Sequence, residues 1–259
     1  MRRVLKTLAV LTLALVGLIV GVGAYTTDGP HEYAPVSAEQ QAEARAYLAA
    51  AQPPMPEGAT FGWFDREADV RLETLTLDHP EPKGTVVISP GFSAPLEIYV
   101  GTFTAFHDAG YRIVALSPRG QGRSWRPLPN PEKGHVADYD VLVDDLAAFV
   151  AAQPGPVFVY GNSMGGHVAM LMAESDAPSV IAYGLVVPMA KIRTDPFPYG
   201  FARAIGGVFT TFGFGDNFGI GQGNWRYDLR DITAPYSCSA ETSRAHTRHT
   251  MVALDPALR

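Results

Sequence analysis

Gly161-Asn162-Ser163-Met164-Gly165 sets a serine between two glycines in the pattern G-x-S-x-G. A short apolar run, Pro156-Val157-Phe158-Val159-Tyr160, leads into it, and a helical stretch from Met164 to Glu174 leads away. A nucleophilic serine on a strained strand–turn–helix junction needs this context. The sharp turn exposes its Oγ, and small neighbours let the helix pack close to the strand. Gly161, Gly165 and Gly166 are those neighbours. The competing reading is an ordinary glycine-rich turn with a solvated serine, and the flanking elements favour the nucleophile. Such a serine attacks a carbonyl and needs two backbone donors for the oxyanion that forms. One is the N–H of the next residue, Met164. The other comes from the loop after an earlier strand. Val86-Val87-Ile88-Ser89 is followed by Pro90-Gly91-Phe92-Ser93, which makes the N–H of Phe92 the candidate.

The elements that must position these residues alternate along the chain. Residues 59–79 hold alternating stretches such as Val70-Arg71-Leu72-Glu73-Thr74-Leu75, which predict an antiparallel hairpin with one wet face. Val86–Ser89, Tyr111–Leu116, Pro156–Tyr160 and Val180–Val187 are short apolar runs that predict strands covered on both faces. Residues 96–109, 137–152 and 164–174 predict helices between them. Strand–helix–strand repetition with apolar strands is an α/β fold with a mostly parallel central sheet. After Pro188 the pattern stops, and no further buried strand is read.

Composition excludes several classes. The 259 residues are 47% hydrophobic and 18% charged, an ordinary balance for a globular chain. Net charge is −6, and no cluster of Lys and Arg points to nucleic acid. A single cysteine, Cys238, excludes an intrachain disulfide and a multi-thiolate zinc site. No P-loop and no metal-ligand spacing occurs. The glycines at 219, 221 and 223 lack the dinucleotide spacing and a preceding strand. No cofactor and no metal is expected.

Residues 60–190 resemble the α/β-hydrolase superfamily, and within it the lysophospholipase and monoacylglycerol lipase branch, whose domain is also called serine aminopeptidase-like. The resemblance rests on Ser89-Pro90-Gly91-Phe92, Gly110-Tyr111-Arg112-Ile113-Val114, Pro118-Arg119-Gly120-Gln121-Gly122-Arg123-Ser124, Asp144-Asp145-Leu146 and Gly161–Gly166, in that order. The chain departs from the branch at three positions. Pro90 and Asn162 stand where a histidine is usual, and Ser117 where an aspartate is frequent. The resemblance implies an α/β-hydrolase fold and a carboxylic ester hydrolase acting through an acyl-enzyme on Ser163. Its implied substrate is a monoacyl lipid such as a lysophospholipid or monoacylglycerol. A peptidase, a non-lipid esterase or an acyltransferase on the same fold remain alternatives. So does a non-catalytic membrane-anchored binding protein without a triad.

The triad order in this fold is Ser, then Asp or Glu, then His. His167 follows Ser163 by one helical turn and reads as a packed helix residue. His246 and His249 lie beside Arg244 and Arg248 in a polar stretch, and Asp255 comes after both, reversing the order. Asp140, Asp144 and Asp145 precede the serine and read as solvent-facing charges. In the resembled branch two strands after the cap carry the acid and the base. Only 96 residues follow Ser163, and most read as cap. The expectation is therefore that residue 259 is not the natural C-terminus. The triad Asp and His would lie beyond it, the last strands would be missing, and the sheet would end at an unpaired, association-prone edge near residues 180–187.

The predicted organisation is a signal anchor over 1–30, a juxtamembrane helix and linker over 31–58, a hydrolase core over 59–190 and a cap region over 191–259. Thr7–Thr27 carries no charge over 21 residues, about 31 Å of helix, enough to cross a bilayer. That length favours an uncleaved anchor over a cleaved leader, although Val22-Gly23-Ala24 would serve as a cleavage site. Either way the basic start, Arg2, Arg3 and Lys6, stays cytoplasmic and the body is exported. The body alone carries a net charge of −8, so membrane residence must come from the anchor. Ser37-Ala38-Glu39-Gln40 fits a capping box for the juxtamembrane helix, which runs to about Gln52. In the cap, Phe197, Phe201, Phe209, Phe212, Phe214 and Phe218 read either as an acyl-chain tunnel or as the cap's own core.

Overall fold

The computed structural model describes residues 2–27, 54–175, 180–192 and 197–219, with residues 37–39, 42, 46 and 194 singly or in a short run. The juxtamembrane helix lies largely outside the described residues, as do Cys238, His246, His249 and Asp255. Among the described residues the chain forms two compact units. One takes the N-terminal helix, Leu128–Lys133 and the segment from Lys191. The other takes the sheet and the helices that cover it.

The sheet unit has six strands: β1 (Thr60–Glu67), β2 (Val70–Leu77), β3 (Thr85–Ser89), β4 (Arg112–Leu116), β5 (Val157–Asn162) and β6 (Val180–Val186). Their spatial order is β1-β2-β4-β3-β5-β6. The β1–β2 hairpin joins antiparallel through β2 to β4, and β4, β3, β5 and β6 run parallel. Side chains alternate across β3. Val87 packs on one face with α3 (Tyr139–Ala151) and α4 (Met164–Glu174), through Leu142, Leu146, Phe149, Val168 and Met172. Val86 and Ile88 pack on the other with the 3-10 turn Leu96–Tyr99 and α2 (Val100–Asp108), through Leu96 and Phe103. Each fully buried side chain of this kind contributes roughly 1.5–3 kcal/mol of burial free energy. Asp138 caps α3 by accepting from the Asp140 N–H at 3.0 Å.

Two expectations about the strands change. The hairpin has one wet face only on β1, the edge strand. β2 is sandwiched between β1 and β4 and buries both faces, Glu73 and Thr74 included. The apolar run of β6 is not covered on both faces. It pairs only with β5 among the described residues, and Ile181, Leu185 and Val186 are exposed.

In the first unit, α1 (Arg2–Thr26) is apolar around its circumference. Its segment Leu5–Tyr25 has a mean hydropathy of 2.4 and is almost wholly exposed. The segment from Lys191 carries α5 (Tyr199–Thr211). Among the described residues its phenylalanines fall into separate groups. Phe209 and Phe214 are half-buried and meet edge to face, and Phe218 lies against Lys133, whereas Phe197, Phe201 and Phe212 are exposed.

Candidate active site

Parallel pairing builds the site. Ser89 at the end of β3 is in register with Gly161 near the end of β5, so the loops leaving both strands start side by side. This is the carboxyl edge of a parallel sheet, where such folds hold their ligands.

Ser163 is the N-cap of α4 and has φ 50° and ψ −113°. A non-glycine residue there stores on the order of 1–3 kcal/mol of strain. The surroundings hold it in place. Its N–H donates to the Val186 carbonyl at 3.0 Å, and its own carbonyl accepts from the N–H of His167 and of Met189. The three glycines let α4 lie against the strands. A Cβ on Gly165 would collide with the Ser89 carbonyl, one on Gly161 would meet Gly166, and one on Gly166 would press on Pro188.

The Pro90–Ser93 loop reaches this turn. A Cβ on Gly91 would sit 3.4 Å from Ser163 Cβ and 3.2 Å from Asn162 Oδ1. Two side chains fasten the loop to the turn. The Tyr99 hydroxyl accepts from the Gly91 N–H at 2.9 Å and donates to Asn162 Oδ1 at 3.0 Å. Burial pushes the Tyr99 pKa up to about 12, so it remains a donor at neutral pH. Gln121, fully buried, accepts from the Ser93 N–H and turns its amide toward Met164 Sδ at 3.7 Å. Among the described residues the Phe92 N–H makes no hydrogen bond. The Met164 N–H, first in its helix, has no acceptor within the helix.

Gln121 belongs to the loop after β4, whose Arg119, Arg123 and Arg126 side chains are pinned as well. Arg119 makes a bidentate pair with Asp145, at 2.6 and 2.8 Å, and Arg66 adds a third contact at 2.8 Å. Asp145 is therefore buried and structural, not solvent-facing. It lies three residues after Leu142 and four before Phe149, on the face of α3 that meets the core. Asp140 and Asp144 are exposed, as their sequence suggested. Arg123 pairs with both Glu73 and Glu97. Burial raises the Glu73 pKa, the Arg123 charge opposes it, and Glu97 adds to the rise. The Ser124 hydroxyl donates to the Ser117 carbonyl at 2.6 Å and accepts from the Glu73 N–H at 2.8 Å. Gly120 and Gly122 turn the loop with positive φ. Sequence reasoning missed this network. The available signals were a glutamate inside an apolar strand and two arginines in a loop next to strand ends.

His167 packs edge to face on Tyr139 at 5.0 Å, one turn along α4, and makes no hydrogen bond to Ser163 Oγ. Among the described residues no histidine or carboxylate contacts that hydroxyl. The structure thus brings Ser163, Gly161, Gly165, Gly166, Met164 and Phe92 to one edge of the sheet.

A six-stranded, mostly parallel sheet with helices on both faces and a strained serine after β5 is the α/β-hydrolase fold. Residues 80–229 match the family described as serine aminopeptidase, S33, and the chain belongs to that family. It is 34% identical over 150 residues to lysophospholipase L2 of Escherichia coli K12, covering 54% of this chain and 43% of that protein. It is 31% identical over 113 residues to a monoacylglycerol lipase of Mycolicibacterium smegmatis, covering 42% of this chain and 35% of that one. The chain therefore spans less than half the length of these relatives. Among solved structures, the thioesterase domain from the curacin biosynthetic pathway superposes with a TM-score of 0.53 at 18% identity. It covers 73% of this chain and 67% of that domain, a likeness of fold.

Proposed function

We propose that the chain is a serine hydrolase that cleaves carboxylic esters of monoacyl lipids, a lysophospholipid or a monoacylglycerol. The observation that carries this is the geometry at Ser163. A strained serine stands at the start of α4, a Cβ on Gly91 of the neighbouring loop would sit 3.4 Å from its Cβ, and among the described residues the Phe92 N–H of that loop makes no hydrogen bond. Ser163 Oγ attacks the ester carbonyl carbon, and the N–H groups of Phe92 and Met164 hold the oxyanion. The C–O bond to the alcohol breaks, the alcohol leaves protonated, and water hydrolyses the acyl-serine. The serine needs a base to take its proton. The imidazole and its carboxylate partner come from outside the described residues. The names of the relatives support the lipid substrate. The exposed apolar α1 supports attachment to a membrane, with the body on the extracytoplasmic side.

The test is fluorophosphonate labelling of the protein in its native membrane fraction, read by intact mass, beside a Ser163→Ala control. Labelling of the wild type alone is the expected result. An unlabelled wild type would leave a binding protein on this fold as the better reading. A series of ester substrates of increasing acyl length separates a lipase, which prefers long chains, from a peptidase or a short-chain esterase.

A further inference from the structure

Two exposed apolar surfaces lie in the first unit, and they are joined. One is the circumference of α1, where Leu8, Leu11, Leu15 and Leu18 are each more than half exposed. The other is on α5. Phe201, Ile205, Val208 and, at the C-cap, Phe212 follow one another at spacings of four, three and four residues, which is a single helical stripe, and Phe197 stands just before the helix against Phe201. Phe201 is 52% exposed, Phe212 41% and Val208 37%. Arg203 and Thr210, with Gly206 and Gly207, fall on the opposite side. Arg203 is the only charged residue between Asp195 and Asp216, so no carboxylate opposes contact with an anionic surface along α5.

The join is at Gly23, which is buried near the end of α1. A Cβ there would fall on the Phe214 ring. The Gly23 carbonyl accepts from Asn217 Nδ2 at 2.9 Å, and the Thr27 hydroxyl donates to Asn217 Oδ1 at 3.3 Å. Phe214 meets Phe209 of α5 with ring centroids 6.1 Å apart. The chain leaving α5 is thus fastened to the C-terminal end of α1. That is where a membrane-crossing helix emerges into the headgroup layer.

We propose that α5 is a second membrane contact. It lies in the headgroup–acyl boundary of the bilayer that α1 crosses, with the phenylalanine stripe toward the acyl chains and Arg203 toward lipid phosphates. A helix with one aromatic and aliphatic face, a single cation on the other and no acid suits an interfacial position. The Gly23–Phe214 and Asn217 contacts hold the end of α5 near the end of α1, where the same bilayer could solvate both. This inference rests on the anchor reading above, and its test separates the two.

The test uses the full chain with Cys238→Ser, reconstituted in vesicles of equal parts phosphatidylcholine and phosphatidylglycerol. Single cysteines at Leu13, Val208 or Thr210 carry a nitrobenzoxadiazole label. Lipids with a spin label high or low on the acyl chain report depth. The label at 13 is expected to be quenched by the deep probe. The label at 208 is expected to be quenched by the shallow probe about threefold more than the label at 210. Equal quenching at 208 and 210 overturns the inference. So does a label at 208 that is shielded without lipid quenching. Shielding that is independent of protein density means the chain's own residues cover the stripe, and shielding that grows with density means a second copy does. An unquenched label at 13 sinks the anchor alone if 208 is still quenched by the shallow probe, and sinks both if it is not.

Discussion

The Tyr99 hydroxyl ties together two backbone segments, since Gly91 and Asn162 both bond to it and Asn162 is 63 residues away. Tyr99→Phe keeps the ring in its buried place and removes both bonds. The loss leaves the buried Gly91 N–H unpaired and frees the half-buried Asn162 Oδ1, at a cost of about 1–3 kcal/mol. The Pro90–Ser93 loop then loses one of its two fastenings, and the N–H of Phe92 loses its aim. Fluorophosphonate labelling of Ser163 is expected to slow by about tenfold, a modest fraction of what a lost oxyanion donor costs. An unchanged labelling rate would show that Gln121 alone holds the loop. A second residue-scale prediction concerns pH. The folded Glu73 pKa is raised, chiefly by burial, above the usual carboxylate value of 4.5. Its contribution to stability is full below 4.5 and is lost as pH rises through the folded value. Glu73→Gln carries no such titration. Its melting temperature is expected to fall less than that of the wild type as pH rises from the acid side toward neutrality. Parallel melting curves against pH would contradict the assignment. At this scale the sequence was readable where chemistry is local. The turn at Ser163 and its glycines sit within six consecutive residues. Tyr99, Gln121 and Glu73 act on partners far along the chain, and no spacing announces such pairs.

Elements meet at two points that mutation can separate. Gly165 is where α4 touches β3. A Cβ there collides with the Ser89 carbonyl, and neither partner can step aside without opening the β3–β5 register. Gly165→Ala is expected to destabilise the fold by roughly 1–3 kcal/mol and to abolish labelling of Ser163. Asp145 is where α3 holds the loop after β4. Asp145→Ala takes the carboxylate from the largely covered Arg66 and leaves Arg119 only the exposed Glu67 at 3.4 Å, and is expected to cost about 3 kcal/mol in chemical denaturation. The neighbouring Asp144→Ala, on the exposed face, is expected to stay within about 0.5 kcal/mol of wild type. Equal effects at 144 and 145 would refute the burial argument. The strands and helices were legible because each apolar run is short and each helix has a clear face. Burial of β2 and exposure of β6 were not. Strand order decides which strand is interior, and β2 lies between β1 and β4 through a pairing that its own alternation does not encode. Asp145 was misread for a related reason. Its charge suggested solvent, while its i+3 relation to Leu142 placed it on the core side.

At the scale of the whole molecule, charge and apolar surface point in different directions, which makes the mode of membrane attachment testable. The chain carries −6 overall and its body −8 without the first thirty residues. A body of that sign is repelled by an anionic lipid surface. Attachment through the cations alone would be weak and would fade as salt shortens the Debye length. Attachment through α1, 21 residues with a mean hydropathy of 2.4, is hydrophobic and indifferent to salt. High salt should weaken the repulsion of the acidic body and leave the anchored protein in the membrane pellet, or hold it there more firmly. Alkaline carbonate is expected to leave it there too, and detergent to release it. Release by salt alone would mean that the basic residues hold the protein and that α1 does not cross the bilayer. Release by carbonate but not by salt would mean a peripheral apolar contact, of the kind proposed for α5, without a spanning helix.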